Sequence, residues 1–203
     1  RGLGDVYKRQ IIMATTAKNQ EASKQSMEAK TNTSHGLRDL FEVGLKDIYY
    51  AEKVLSINLP KMMENASDPE LKTTLKNHVK ETHEHVSRLE KIFETTGIEA
   101  KAQKCDAMEG ILKENDNMIK KTDHGMVRDA SIIASEQKMK HYEIATYGTL
   151  HAFAKTLGEN KAATLLAKTL DEEKKADAKL TDIAITSINR NAFRANAISN
   201  IKA

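Results

Sequence analysis

From Leu37 onward, apolar side chains recur at steps of three and four residues, the spacing of one face of an α-helix and not the alternation of a strand. Leu37, Phe41, Leu45, Ile48, Leu55 and Leu59 trace a first stripe, and Leu71, Leu75, Val79, Val86, Leu89 and Phe93 a second. Ile132, Ile133, Met139, Tyr147 and Leu150 trace a third, and Leu166, Leu170, Ala176, Leu180 and Ala184 a fourth. A chain patterned this way has to bury amphipathic helices against one another. Composition removes the alternatives. Aromatic residues make up 4% of the 203 residues, with no Trp, two Pro and nine Gly, so a sandwich or barrel lacks its usual material.

The ends of the stripes carry helix punctuation. Ser67, Asp68, Pro69 and Glu70 announce a helix start, with Ser or Asp as the cap and Pro in the first turn, where its missing N–H costs nothing. Gly97 closes that helix, and Gly158 marks the end of the third. Pro60 predicts a kink or an end in the last turn of the first helix. Residues 98–126 form a connection of about thirty residues, long enough to require structure of its own, and Met108, Ile111, Leu112 and Ile119 predict a short helix inside it. The connections therefore run short, long, short. Short links force antiparallel neighbours and a long one climbs the length of a helix, which predicts an all-α, ferritin-like four-helix bundle with one crossover between its second and third helices. An offset of 91 residues places Phe41 on Ile132, Ile48 on Met139, Glu52 on Glu143, Leu75 on Leu166 and Leu89 on Leu180, as two related hairpins would.

Outside the bundle, residues 1–12 share no periodicity with the rest of the chain and read as non-native, with Met13 as the natural start. Residues 1–34 read as a disordered, solvated tail, 35–187 as the bundle, and 188–203 as a C-terminal tail in which Arg190, Arg194 and Lys202 have no acidic neighbour. Thirty-two bases against 29 acids give +3, with the signs interspersed, which argues against a nucleic-acid surface. No apolar run approaches the roughly 18 residues of a membrane span. The lone Cys105 excludes an intramolecular disulfide and sits in no pattern for nucleophilic catalysis. With no secretory signal after Met13, the expected compartment is the cytoplasm.

What separates these stripes from ordinary core is the acids and histidines on them. A carboxylate is rarely buried without a partner, because desolvation costs several kcal/mol before compensation. Folding the first hairpin about its turn near residues 65–68 brings Glu52 level with residue 80 or 81, and folding the second brings Glu143 level with Glu173. At that height the second helix offers His78, Glu81 and His85, and the fourth offers Glu173 and Asp177. Oxygen-rich ligands with one or two imidazoles suit iron or manganese, and in such a bundle two ions can share bridging carboxylates. The candidate metal ligands are Glu52, Glu81, His85, Glu143, Glu173 and Asp177. The competing explanation pairs these acids with Lys80, Lys140 and Lys174 and needs no metal. His35, His83 and His124 fall on exposed, tail or crossover positions, while His141 and His151 lie beside the stripe. Gly44 and Gly148, in helix interiors, predict close helix approach, since each costs about 1 kcal/mol there relative to Ala.

Longer strings carry a resemblance. LFEVGLKDIYYAEK at 40–53, ET at 81–82, RLEKIF at 88–93, KCDAMEG at 104–110, HYEIATYG at 141–148 and EEK at 172–174 resemble the YciE/YciF family of ferritin-like bacterial stress proteins, over residues 36–187. The resemblance implies a rubrerythrin-like bundle, cytoplasmic and dimeric, linked to general stress responses, with a di-metal (di-iron) centre. By position it matches Glu52, Glu81, Glu143, Glu173 and Asp177 to the acids of a ferritin-like site. Two positions depart from the family pattern, Gly44 and Lys140, where an acid is common, and the Glu-x-x-His spacing of di-iron bundles is missing. A lysine beside the expected cations argues for weaker occupancy, for one ion in place of two, or for a Lys–Glu pair in place of metal. Two readings stand. One is a metal-binding, redox-active bundle acting on peroxide or dioxygen, and the other a metal-free interaction or structural protein that works as a homodimer.

Overall fold

The helix boundaries follow from the residues that satisfy their open ends. In a computed structural model, which describes residues 36–201, the first helix, α1 (Leu37–Asn65), runs through Pro60 without ending there. The proline's missing donor falls close enough to the C-terminus for the helix to complete its last turn. Asp68 caps α2 (Pro69–Thr96) through hydrogen bonds from the Glu70 and Leu71 amides at 2.9 and 3.0 Å, and Gly97 closes it at φ 68°, a left-handed conformation that glycine adopts without a Cβ penalty. The crossover contains α3 (Asp106–Lys121), followed by α4 (Met126–Thr156) and α5 (Asn160–Ile183). A π-helical turn, Ala184–Ile188, leads into α6 (Asn189–Ile201) over residues expected as a tail. The predicted tail at 1–34 lies outside the described residues.

The described residues from Leu40 onward pack as one compact unit. α4 and α5 form one hairpin, α2 lies along α5, and α3 lies along α4. The inward stripes meet in a single core that includes Phe41, Leu45, Ile48, Leu75, Phe93, Ile132, Met139 and Leu166. This is the four-helix, long-crossover bundle that the link lengths predict. Gly44 is where two helices come close: a Cβ there would lie 2.9 Å from Leu150 Cδ2. Gly148 has more room, with its nearest neighbour, Leu170 Cδ2, at an ordinary 4.0 Å.

Two side chains from sequence-distant segments fasten the crossover. Cys105 is the first of them. It is buried and caps α3, its sulfur accepting from the Met108 amide at 3.3 Å while its thiol donates to the Tyr142 hydroxyl at 3.2 Å. Burial pushes this thiol's pKa up, so it is no activated nucleophile. Asp129, fully buried in the first turn of α4, accepts from the Ser67 and Asp68 amides at 2.7 and 3.0 Å.

Candidate metal centre

Each long helix brings polar groups to the middle of this core. α1 supplies Glu52, α2 supplies His78 and His85, α4 supplies Glu136, Lys140 and Glu143, and α5 supplies Glu173, all of them buried. Helical periodicity places them there, because each sits on a stripe whose other members are apolar. Among the described residues, two sets of three ligand atoms converge to within 4.8 Å of one another: Glu52, His85 and Glu173, and His78, Glu143 and Glu173. Glu173 belongs to both and gives one oxygen to each. Its Oε1 faces His85 Nδ1 at 3.1 Å, while its Oε2 accepts from Lys140 Nζ.

The first triad is held from outside and unsatisfied within. Tyr147 donates to Glu52 Oε1 at 2.5 Å, and Glu172 Oε2 lies 3.1 Å from His85 Nε2, itself fixed by a hydrogen-bonded pair with Arg88. His85 Nδ1 lies 3.2 Å from Glu52 Oε1 and 3.1 Å from Glu173 Oε1, yet it completes a hydrogen bond to neither, and Glu52 Oε2 and Glu173 Oε1 also lack partners. Buried polar atoms are normally paired, so orphans aimed at one point mark a place for a cation. Burial disfavours the His85 imidazolium, but the Glu173 and Glu52 carboxylates outweigh it and hold its pKa up to about 10. Burial and the neighbouring Glu52 charge push the Tyr147 phenol well above its ordinary value, so it stays a donor.

The second triad already surrounds a charge. Lys140 Nζ donates to Glu173 Oε2 and His78 Nε2 and lies 3.1 Å from Glu143 Oε2. An ammonium can only donate, so His78 Nε2 is the accepting nitrogen and Nδ1 carries the proton that it gives to Glu136 Oε1. Burial opposes the Lys140 charge, but Glu143, Glu173 and Glu136 outweigh it and keep the amine well above the ordinary lysine range. Burial also works against ionised Glu173, yet the Lys140 charge and His85 hold it well below the carboxylate range. Burial and the Glu173 charge drive Glu143 the other way. A cavity of about 330 Å³ opens between α2 and α5, with His78, Glu81, Glu136 and Lys140 in its walls.

Of the six residues expected as ligands, Glu52, His85, Glu143 and Glu173 come together here. Glu81 is half-buried and lines the cavity, and Asp177 is half-buried beside Gln137 and His141, so both stand outside the two triads. In the first hairpin Glu52 meets His85, one helical turn beyond residue 81. His78 and Glu136 were absent from that expected set although both lie on the inward stripes, which was the available signal. Glu172 and Arg88, which hold His85, gave no local signal.

Such a centre, built by four long helices with a crossover, defines a ferritin-like bundle protein. A family profile described as "Domain of unknown function (DUF892)" matches residues 36–193. The chain is 43% identical over 157 residues to Protein YciF of Escherichia coli (strain K12), covering 77% of this chain and 95% of that one. The crystal structure of the E. coli stress protein YciF matches with a TM-score of 0.74 at 43% identity, over 77% of this chain and 99% of that chain. YcfI from Rhodopseudomonas palustris matches with a TM-score of 0.72 at 39% identity, over 74% and 96% of the two chains. A protein from Xanthomonas campestris shares the fold at a TM-score of 0.66 and 20% identity, over 80% and 99%. The chain belongs to the YciE/YciF family of ferritin-like bacterial stress proteins. None of its described helices is long and apolar enough to cross a membrane.

Proposed function

We propose that this stress-family bundle binds iron or manganese at its centre and uses it on a small oxidant, peroxide or dioxygen. The observation that carries this reading is the first triad, where Glu52, His85 and Glu173 converge fully buried, with orphaned atoms from three different helices. A mixed carboxylate and imidazole donor set suits these metals. A bound ion of this kind supplies one-electron or oxygen chemistry. The protein's own part is positioning. Tyr147 orients Glu52, the Arg88–Glu172 pair orients His85 through Nε2, and Nδ1 is left as the atom that gives up a proton when a cation arrives. The surrounding apolar core excludes bulk water. The working unit is the bundle at residues 35–187, in the cytoplasm and as a homodimer; the exposed Leu40 and Val43 side chains beside the apolar groove between α1 and α4 support such a contact.

Elemental analysis of protein purified without chelator and then reconstituted with Fe(II) or Mn(II) tests the reading. A bound ion is expected, lost in Glu52→Ala and Glu173→Ala. Less than about a tenth of an ion per chain, with both variants as stable as the parent, would overturn it. One observation favours the second reading, a metal-free structural dimer. The Lys140 ammonium already compensates Glu173 and Glu143, so part of the inward charge needs no metal.

A further inference from the structure

We propose that Lys140 is the resident cation of the second triad, so that the centre takes up one metal ion and not two. This rests on the reading that the first triad binds metal, and it assigns the neighbouring position to the protein itself. The three residues of the second triad, His78, Glu143 and Glu173, are the same residues whose Nε2, Oε2 and Oε2 atoms face Lys140 Nζ. The ammonium donates to His78 Nε2 and Glu173 Oε2 and pairs with Glu143 Oε2 at 3.1 Å without a completed hydrogen bond, so it fills the position in charge and through two directed contacts. The bridging role of a shared carboxylate is preserved. Glu173 turns Oε1 to the open triad and Oε2 to the amine, as it would between two ions.

The cavity between α2 and α5 has both His78 and Lys140 in its wall, so the second position lies behind it. A divalent ion arriving there meets a buried positive charge a few ångströms away, and to bind it must displace an amine anchored by Glu136, Glu143 and Glu173. In the first triad the group that faces Glu52 Oε1 and Glu173 Oε1 is the ring nitrogen His85 Nδ1, itself a ligand atom, and not an ammonium. The two positions have similar ligands and differ in what already neutralises them.

The test counts ions and asks whether they are neighbours. Full-length parent, Lys140→Met and Lys140→Arg proteins are titrated with Mn(II) by equilibrium dialysis, and the loaded proteins are examined by electron paramagnetic resonance. One isolated Mn(II) per chain is expected in the parent and in Lys140→Arg. In Lys140→Met two are expected, spin-coupled through the shared Glu173, and Lys140→Met/His78→Ala should return to one. Two coupled ions in the parent, or a single ion in Lys140→Met, would overturn the assignment of Lys140 while leaving the first triad as a metal site. No ion in any variant would overturn the metal reading itself. If Lys140→Met fails to fold without metal, its expression and purification in Mn(II) serve as the second measurement. Recovery of a folded, two-ion protein supports the proposal, and failure to recover leaves the parent's own titration to decide, with two ions overturning it and one supporting it.

Discussion

The two triads share an acid, lie in one buried core and draw on the same ligand types, yet they are in different chemical states. In Glu52, His85 and Glu173 the compensating charge is a proton, held on an imidazole whose ring nitrogen touches two carboxylates without bonding to either. In His78, Glu143 and Glu173 it is an amine covalently part of α4. A proton exchanges with a metal at a cost set by pH, whereas a lysine can leave only if its long side chain finds another home. Burying acids is thus a single problem solved twice, once reversibly and once permanently, and only the reversible solution leaves room for a ligand.

Removing the permanent solution should have the largest effect. Metal-free Lys140→Met is expected to lose about 3–5 kcal/mol in urea denaturation, because Glu173 and Glu143 then face each other without a cation. A loss below about 1 kcal/mol would mean that the amine does not hold the second triad together. Next in size is the contrast between two isosteric changes. Glu52→Gln should weaken Mn(II) binding about a hundredfold, while Glu143→Gln should leave it within about threefold, both read by competition with a chelating dye. Equal losses would merge the two positions into one site. Glu172→Gln, which loosens the partner of His85 Nε2, should cost about tenfold in the same assay, and combining it with Glu143→Gln should add little. The smallest effect is expected of Tyr147→Phe. Losing one hydrogen bond to Glu52 should lower stability by about 1 kcal/mol, measured by thermal melts.

The fold was legible because its signals are local. Asp68 and Pro69 start α2 and Gly97 ends it where the residues require, and the crossover helix lies where Met108 and Leu112 recur. Pro60 stands close to the end of α1 at Asn65 without stopping it on the spot, since a missing donor near a C-terminus is a weaker stop than the same residue in mid-helix. The site was legible as a set of inward acids and histidines but less so as contacts. Glu81 and His85 lie one turn apart on the same helix, and which of them meets Glu52 depends on the rise and offset of the whole hairpin, which no local pattern encodes. Arg88 was invisible for a related reason. It looks like surface until Glu172, on a helix reached only after the crossover, is folded against it. Lys140 could be read as a departure from the acids around it, but its three partners come from three helices and become apparent only in three dimensions.

Asp129 gives the crossover a consequence of its own. With both oxygens bound to the backbone at Ser67 and Asp68, it pins the landing of the excursion to the turn that joins the first two helices, as a buckle holds the far end of a strap. The departure is set separately, where Gly97 closes α2. Between these two points the stretch is held again, at Cys105 by Tyr142 and at Glu109 by Tyr50, so its course is tied to α1 and α4 as well as to its ends.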